Sequence, residues 1–266
     1  MLKTISSIQN PLIKELYQLK EKSKKRKQSK TFLIEGKREI QLAKKGNFLL
    51  KKILYNPSIF NEEELEHILH LNTNIEVIEI TNEVYNKLAH RASTEGILAV
   101  AESGNYNISS FKVTTENPLI LVAEAPEKPG NIGALLRTAD AANVDAVFIA
   151  NPKTDFFNPN IIRSSVGTVF TVPIASGTTA EIISFLKEHK INIFCAALTA
   201  SKPYTEIDFN QPTAIVVGTE ATGLSNEWLQ SASQNIIIPM GGAIDSMNVS
   251  VSAGILVFEA VRQRKI

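Results

Sequence analysis

This 266-residue chain lacks disulfide chemistry, a histidine cluster and any long apolar run. Its single cysteine, Cys195, cannot form an internal disulfide and suits a reducing cytoplasm, where the chain is expected to reside. Cys195 lies in the apolar run Ile193-Phe194-Cys195-Ala196-Ala197-Leu198, with no charged neighbour to stabilise a thiolate, so a buried, inert thiol is expected. The four histidines, His67, His70, His90 and His189, form no ligand pattern. His67 and His70 stand three apart without carboxylate or cysteine company at a metal-binding spacing, so no metal site is expected. No segment approaches the roughly 20 apolar residues of a membrane span, and the lysine-bearing N-terminus has no apolar h-region. Neither a membrane partner nor a signal peptide is expected. Also missing are the G-x-G-x-x-G of dinucleotide folds, the G-x-x-x-x-G-K-[ST] of P-loops and any internal repeat.

The composition, 44% hydrophobic, suffices for one large core or two smaller ones, and the length favours two domains. A net charge of +1 conceals a strong asymmetry. Residues 1–52 hold 15 Lys and Arg against 4 Asp and Glu, and the remainder holds 13 against 23. Lys20, Lys22, Lys24, Lys25, Arg26, Lys27 and Lys30 form the densest cluster. Such a run is either a solvated face or a surface that neutralises a polyanion. Confinement of the charge to one segment favours the polyanion.

Along the first hundred residues, strand and helix patterns alternate. Asn10-Pro11 opens a helix with Leu12, Ile13, Leu16 and Leu19 at helical spacing, which the basic cluster interrupts. Strands follow at 31–36, 53–55, 75–80 and 96–101, and helices at 37–45, 61–71 and from Thr81, a plausible N-cap. This order implies a small α/β sandwich. The polar stretch 103–117 reads as a linker, giving domains 1–102 and 118–266. The second domain shows strands at 119–123, 146–150, 191–198, 214–217 and 236–238, with helices at 133–142, 179–189, 226–231 and 249–263. Its strands are continuously apolar, as in a parallel sheet covered on both faces.

Three polar clusters follow strands of this second domain. The first is Asn131-x-Gly133-x-x-x-Arg137-Thr138, the second Gly218-x-Glu220-x-x-Gly223 and the third Ser246-x-Asn248-Val249-Ser250. Each has an ordinary structural explanation. Arg137 could pair with Asp140 or Asp145, Glu220 or Ser225 could cap the helix from Asn226, Ser246 could cap the last helix, and Asn248 could be a turn residue. Loops at the carboxyl ends of parallel strands are also where α/β proteins bind ligands.

In order, spacing and context, the three clusters resemble the motifs of the SpoU (TrmH) family, RNA ribose 2′-O-methyltransferases of the SPOUT superfamily. The resemblance runs from about Pro118 to Arg264 and includes Phe157-Asn158-Pro159-Asn160-Ile161-Ile162-Arg163-Ser164-Ser165-Val166-Gly167. The N-terminal part resembles the family's accessory RNA-binding domain, an α/β module like those of some ribosomal proteins. That match rests on element order and on Arg91-Ala92-Ser93-Thr94-Glu95-Gly96-Ile97.

The resemblance implies an α/β knot, in which the last strands and helix thread through a loop, and S-adenosylmethionine as cofactor. It places the cofactor against Leu198, Thr199, Gly218, Ile238 and Met247, largely through their backbones. It gives catalytic parts to Arg137, Glu220 and Asn248, and puts Asn131, Arg163 and Ser246 with Lys24, Lys25, Arg26 and Lys27 on the RNA side. A guanidinium stays protonated in ordinary surroundings, so Arg137 is expected to grip phosphate and stabilise oxyanion charge rather than act as a free base. The family also implies a homodimer with the last helix at the interface, and its accessory domain favours ribosomal over transfer RNA. Two other readings compete: a Rossmann-type dehydrogenase, against which the missing glycine fingerprint counts, and a non-catalytic RNA-binding protein on the same scaffold.

Overall fold

A computed structural model describes residues 3–69, 75–90, 95–199, 201–219, 222–243 and 246–264. In chain order the first elements are β1 (Lys3–Ile5), α1 (Pro11–Glu21), α2 (Ser23–Ser29), β2 (Thr31–Glu35), α3 (Lys37–Lys45) and β3 (Leu50–Tyr55). Next come α4 (Glu62–Leu69), β4 (Glu76–Ile80), α5 (Asn82–Leu88), β5 (Ile97–Glu102), β6 (Leu119–Glu124), α6 (Pro129–Ala142) and β7 (Ala146–Ala150). Then follow α7 (Pro159–Ser164), β8 (Ile174–Gly177), α8 (Thr179–Glu188), β9 (Asn192–Ala196) and β10 (Lys202–Pro203). The chain closes with β11 (Thr213–Val217), α9 (Asn226–Ser231), β12 (Gln234–Ile237) and α10 (Val249–Arg264). No helix among the described residues is long and apolar enough to cross a membrane.

The elements divide into two units. The first comprises Met1–Gly104 together with Asp155–Thr171, a segment distant in sequence. Its mixed sheet runs β1-β4-β3-β5-β2, with β5 antiparallel to both β3 and β2 and the other pairs parallel. Asn10 caps α1 through its side chain, which accepts from Leu12 N–H at 2.9 Å. Pro11 occupies the first helical turn, where its missing N–H costs nothing. The buried Ile13, Leu16 and Leu19 then join Leu33, Leu54, Ile78, Val84 and Leu98 in one core cluster.

Strand alternation turns Phe32 to the opposite sheet face from Leu33. There it stacks on Phe157, with centroids 3.9 Å apart, while Phe48 meets both Phe157 and Phe170 edge-on. The 155–171 segment thus supplies part of the first unit's core. Gly46 permits the approach, since a Cβ there would overlap the Phe170 carbonyl.

The basic run is no mere break in α1: it forms the short helix α2. Arg26 departs from the RNA-facing role expected of it, because it is 5% exposed and turned inward. Its Nε donates to Asp155 Oδ1 at 2.9 Å and its Nη2 to Oδ2 at 2.8 Å. Its Nη1 donates to the carbonyls of Leu19 and Lys20 at 2.6 and 3.0 Å. Charge counting could not distinguish this guanidinium from its neighbours. The bidentate fork, with the α1 carbonyls it also satisfies, is what makes its burial tolerable.

The second unit comprises Asn105–Thr154 and Val172–Ile266. Its sheet order is β10-β12-β9-β11-β6-β7-β8, and every pair is parallel. The short strands β8 and β10 carried too few apolar residues to be recognised in the sequence. Residues 105–117, read as linker, lie against this unit. Asn107 bridges to Ser176, Ile108 is 2% exposed within the core, and Phe111 and Val113 pack on it. On the other face α10 packs against α6 and β11. Arg264 ends α10 by donating to the carbonyls of Phe209, Asn117, Pro118 and Gln211.

The ion pair within the first unit sets a pH dependence. Burial works against the charge of Asp155, but hydrogen bonds from Arg26 and Ser23 and the charge of Arg26 outweigh it, holding the carboxyl below its ordinary 3.8. A depressed carboxyl stabilises the fold above its unfolded value and loses that contribution as pH falls through its folded value. Arg26→Ala is expected to cost about 3 kcal/mol in urea unfolding, because it strands a buried carboxylate. Asp155→Asn should melt well below the wild type at neutral pH, and that gap should close as pH drops below 3.8.

Candidate functional site

All strands of the second unit end at one sheet edge, so the segments following β9, β11 and β12 meet there. They enclose a cavity of about 470 Å³. Leu198 and Thr199 come from the segment after β9, Gly218, Thr219, Thr222, Gly223 and Leu224 from that after β11, and Ile238, Met240, Ser246 and Met247 from that after β12. The five residues expected to hold the cofactor, Leu198, Thr199, Gly218, Ile238 and Met247, all line this cavity. Ser246, expected on the RNA side, also lies in its wall. Sequence reasoning passed over Met240, Thr219, Thr222 and Ser252. The last of these lies on α10, four residues beyond Asn248, where helical spacing could have suggested it.

The loop after β11 is closed on itself. Thr219 and Gly223 exchange backbone hydrogen bonds at 3.2 and 3.1 Å, and the Thr219 and Thr222 hydroxyls lie 2.8 Å apart. Gly218 admits no side chain, since a Cβ would overlap the Gly223 carbonyl, and Gly223 itself has φ +68°. Backbone packing thus demands glycine at 218, and the left-handed backbone favours it at 223. Glu220, expected at the heart of this loop, lies outside the described residues, as do Arg91 to Thr94.

Asn248 precedes α10 and caps it: its Oδ1 accepts from the Ser250 N–H at 3.0 Å and the Ser250 hydroxyl at 2.6 Å. That role had been open to Ser246. The Asn248 Nδ2 also donates to Asn131 Oδ1 at 3.4 Å, joining the first and third sequence clusters. Arg137 lies six residues along α6 from Asn131, about 9 Å at 1.5 Å per residue, and is exposed. Among the described residues no salt bridge to it is formed. Asp145 instead accepts from the Thr115 hydroxyl at 2.9 Å and the Leu119 N–H at 2.7 Å. Arg163 belongs to the first unit, where it is exposed and donates to Asn160 Oδ1 at 3.4 Å. Lys24 and Lys27 are exposed on α2, while Lys25 pairs with Glu15 at 2.9 Å.

The chemistry of the lining decides what the cavity can hold. Its described residues are apolar side chains, glycines and hydroxyls, with no charged group. A volume of this order suits a nucleoside-sized ligand, with polar contacts left to backbone N–H and C=O groups. Among the described residues no three His, Cys, Asp or Glu side chains gather as a metal site. Cys195, buried beneath this edge, is pushed up to about 12 by its burial and, secondarily, by the charge of Glu124, so it cannot serve as a nucleophile.

Comparison with known proteins gives the same picture along the chain. The profile of the SpoU rRNA Methylase family matches residues 118–258, and that of the MRM3-like substrate binding domain matches residues 10–99. The chain is 30% identical to the 23S rRNA (guanosine(2553)-2′-O)-methyltransferase RlmP of Bacillus subtilis, over 97% of this chain and 98% of that protein. It superposes on a crystal structure of an RNA 2′-O ribose methyltransferase with a TM-score of 0.85 and 38% identity, covering 99% and 100% of the two chains. The AdoMet-bound rRNA methyltransferase from Sinorhizobium meliloti gives a TM-score of 0.89 at 26% identity, covering 98% of each.

The crowding at Gly218 yields a direct test. Gly218→Ala must displace the Gly223 carbonyl, an overpacking that costs about 1–3 kcal/mol. S-adenosylmethionine should raise the melting temperature of the wild type, and that rise should vanish in Gly218→Ala.

Proposed function

The chain belongs to the SpoU rRNA methylase family, and on that footing we propose that it methylates a ribose 2′-hydroxyl of 23S ribosomal RNA from S-adenosylmethionine. The observation that carries this reading is the meeting, in one unit, of a cavity whose described lining carries no charge with the Asn131–Asn248 contact. S-adenosylmethionine brings a methyl group already activated on a sulfonium. What remains for the protein is alignment of the 2′-oxygen and management of its proton and charge.

Leu198, Thr199, Gly218, Ile238 and Met247 hold the cofactor in this reading, with Ser246 at the rim of the same wall. Asn248, fixed by capping α10, positions the ribose, and its partner Asn131 orients it. Arg137 binds the phosphate beside the target nucleotide and stabilises the developing oxyanion. Its exposure supports this, as does the absence of a salt bridge to it among the described residues. Glu220 is assigned to ordering the loop after β11. The first unit presents RNA through Lys24 and Lys27 of α2, with Lys25 and Arg163 as further cations. Ribosomal RNA as substrate supports a cytoplasmic location. The knotted path of the C-terminal segment belongs to the same reading.

A twofold dimer through α10 completes it. Val251 and Phe258 are half exposed, and Ile255 lies between them on the same helical face. Unpaired apolar stripes of this kind suit an isologous contact. Sedimentation at micromolar concentration should give a dimer, and Phe258→Glu should give a monomer; a monomeric wild type would overturn the assembly.

The reaction side is tested by labelled methyl transfer to ribosomal RNA. Arg137→Ala should abolish transfer while calorimetric cofactor binding persists, and near-wild-type transfer would sink the assignment. Replacing Lys24 and Lys27 with Gln should flatten the dependence of log affinity on log salt by about 1–2, since each phosphate contact contributes roughly 0.7–0.9. Cofactor affinity should not move.

A further inference from the structure

A carboxylate buried at the carboxyl end of β6 plays no part in the reaction as described. Glu124 is 6% exposed, yet its oxygens take three hydrogen bonds. Oε1 accepts from the Thr179 hydroxyl at 2.9 Å and the Ser225 hydroxyl at 2.8 Å, and Oε2 accepts from the Ser225 backbone N–H at 2.8 Å. Thr179 accepts in turn from Asn151 Nδ2 at 2.9 Å. Side chains at the ends of β6 and β7 and the starts of α8 and α9 thus form one chain of hydrogen bonds. A buried carboxylate is tolerated only when donors converge on it, so it fixes its partners as firmly as they fix it.

Two of those three donors belong to Ser225, the residue after Leu224, which is the last cavity-lining residue of the β11 loop. The Thr219–Gly223 and Thr219–Thr222 bonds close that loop internally, and among the described residues its ends attach it to the sheet. The upstream end is β11 itself. The downstream end is Ser225, held by Glu124.

A second observation points the same way. Ser225 stands at the N-cap of α9, where a serine ordinarily accepts a hydrogen bond from the first turn, yet its side chain makes no capping bond. The hydroxyl goes to Glu124 instead. The helix forgoes its side-chain cap, and the loop gains an anchor.

We propose that Glu124 is a positioning residue for the cofactor, setting the β11 loop over the cavity through Ser225 without touching the ligand. The proposal rests on this cavity being the S-adenosylmethionine site. Calorimetry with S-adenosylmethionine on the full chain tests it, alongside steady-state kinetics with ribosomal RNA. Glu124→Gln keeps the volume but loses the charge and one acceptor oxygen, and is expected to weaken cofactor binding about tenfold or more, as for loss of a charged hydrogen bond. The KM for cofactor should rise with it, while kcat at saturating cofactor stays within about twofold.

Ser225→Ala should weaken binding less. The double variant should bind no worse than Glu124→Gln alone, the coupling expected of one shared anchor. Thr179→Val removes a donor from α8 rather than from the loop, so it should lower the melting temperature and leave cofactor affinity in place. Wild-type affinity in Glu124→Gln, additive losses in the double variant, or an equal loss in Thr179→Val would each overturn the proposal. Should Glu124→Gln fail to fold, Ser225→Ala carries the test alone, and unchanged affinity there would overturn it. A wild type that binds no S-adenosylmethionine would instead refute the cavity assignment beneath it.

Discussion

Parallel strand pairing is the constraint on which the second unit depends. With all seven strands running one way, every strand ends at the same edge, and segments far apart in sequence are forced together there. Three of these segments make a cavity whose character follows from how close they come. Gly218 and Gly223 lie too near each other for a side chain at Gly218, so the wall there is bare backbone. Bare backbone offers N–H and C=O groups at fixed positions, which suits a ligand recognised by its hydrogen-bonding edge and shape. The same edge holds the buried Glu124, whose three bonds keep the loop where the sheet leaves it.

The first unit is organised around a different dependence. Its sheet is mixed, and one face is completed by residues 155–171, which return to it from between β7 and β8. Among the contacts that hold that segment are the stacked phenylalanines, which bury area, and the Arg26–Asp155 fork, which fixes direction. Burial of the aromatic rings supplies the larger stabilisation, at roughly 25 cal/mol per Å². The fork adds specificity at little net gain, because desolvating two charges offsets most of their attraction. Loss of either partner is nonetheless damaging, since the other charge stays buried.

Much of this was legible in the sequence, and the exceptions share a cause. The apolar runs at 146–150 and 214–217 and the Asn10-Pro11 helix start announced themselves because periodicity and capping are local properties. The three motif clusters could be placed at strand ends for the same reason. What stayed hidden depended on partners remote in the chain. Arg26 looked like its lysine neighbours because Asp155 lies 129 residues away. The 105–117 stretch looked like a linker because its polar composition masks Ile108, Phe111 and Val113, whose burial depends on the core of the second unit. Glu124 stands just past the apolar run 119–123, and only the placement of Thr179 and Ser225 shows it as a junction.

The absence of charge among the described residues of the cavity wall bears on catalysis. A sulfonium ligand is cationic before transfer and neutral after it, so positive charge disperses on the way to the transition state. A carboxylate in the wall would hold the cation best in the ground state and raise the barrier by that preference. The described wall contains none; its polarity comes from hydroxyls and peptide dipoles. In the proposed reading, charge is placed instead on the other reactant's side by Arg137, which stands exposed on α6 within about two helical turns of the Asn131–Asn248 contact. A cation there gains strength as the 2′-oxygen acquires negative character, so its contribution grows toward the transition state. In the proposed reading, the uncharged described wall around the donor and a guanidinium beside the acceptor act in the same direction.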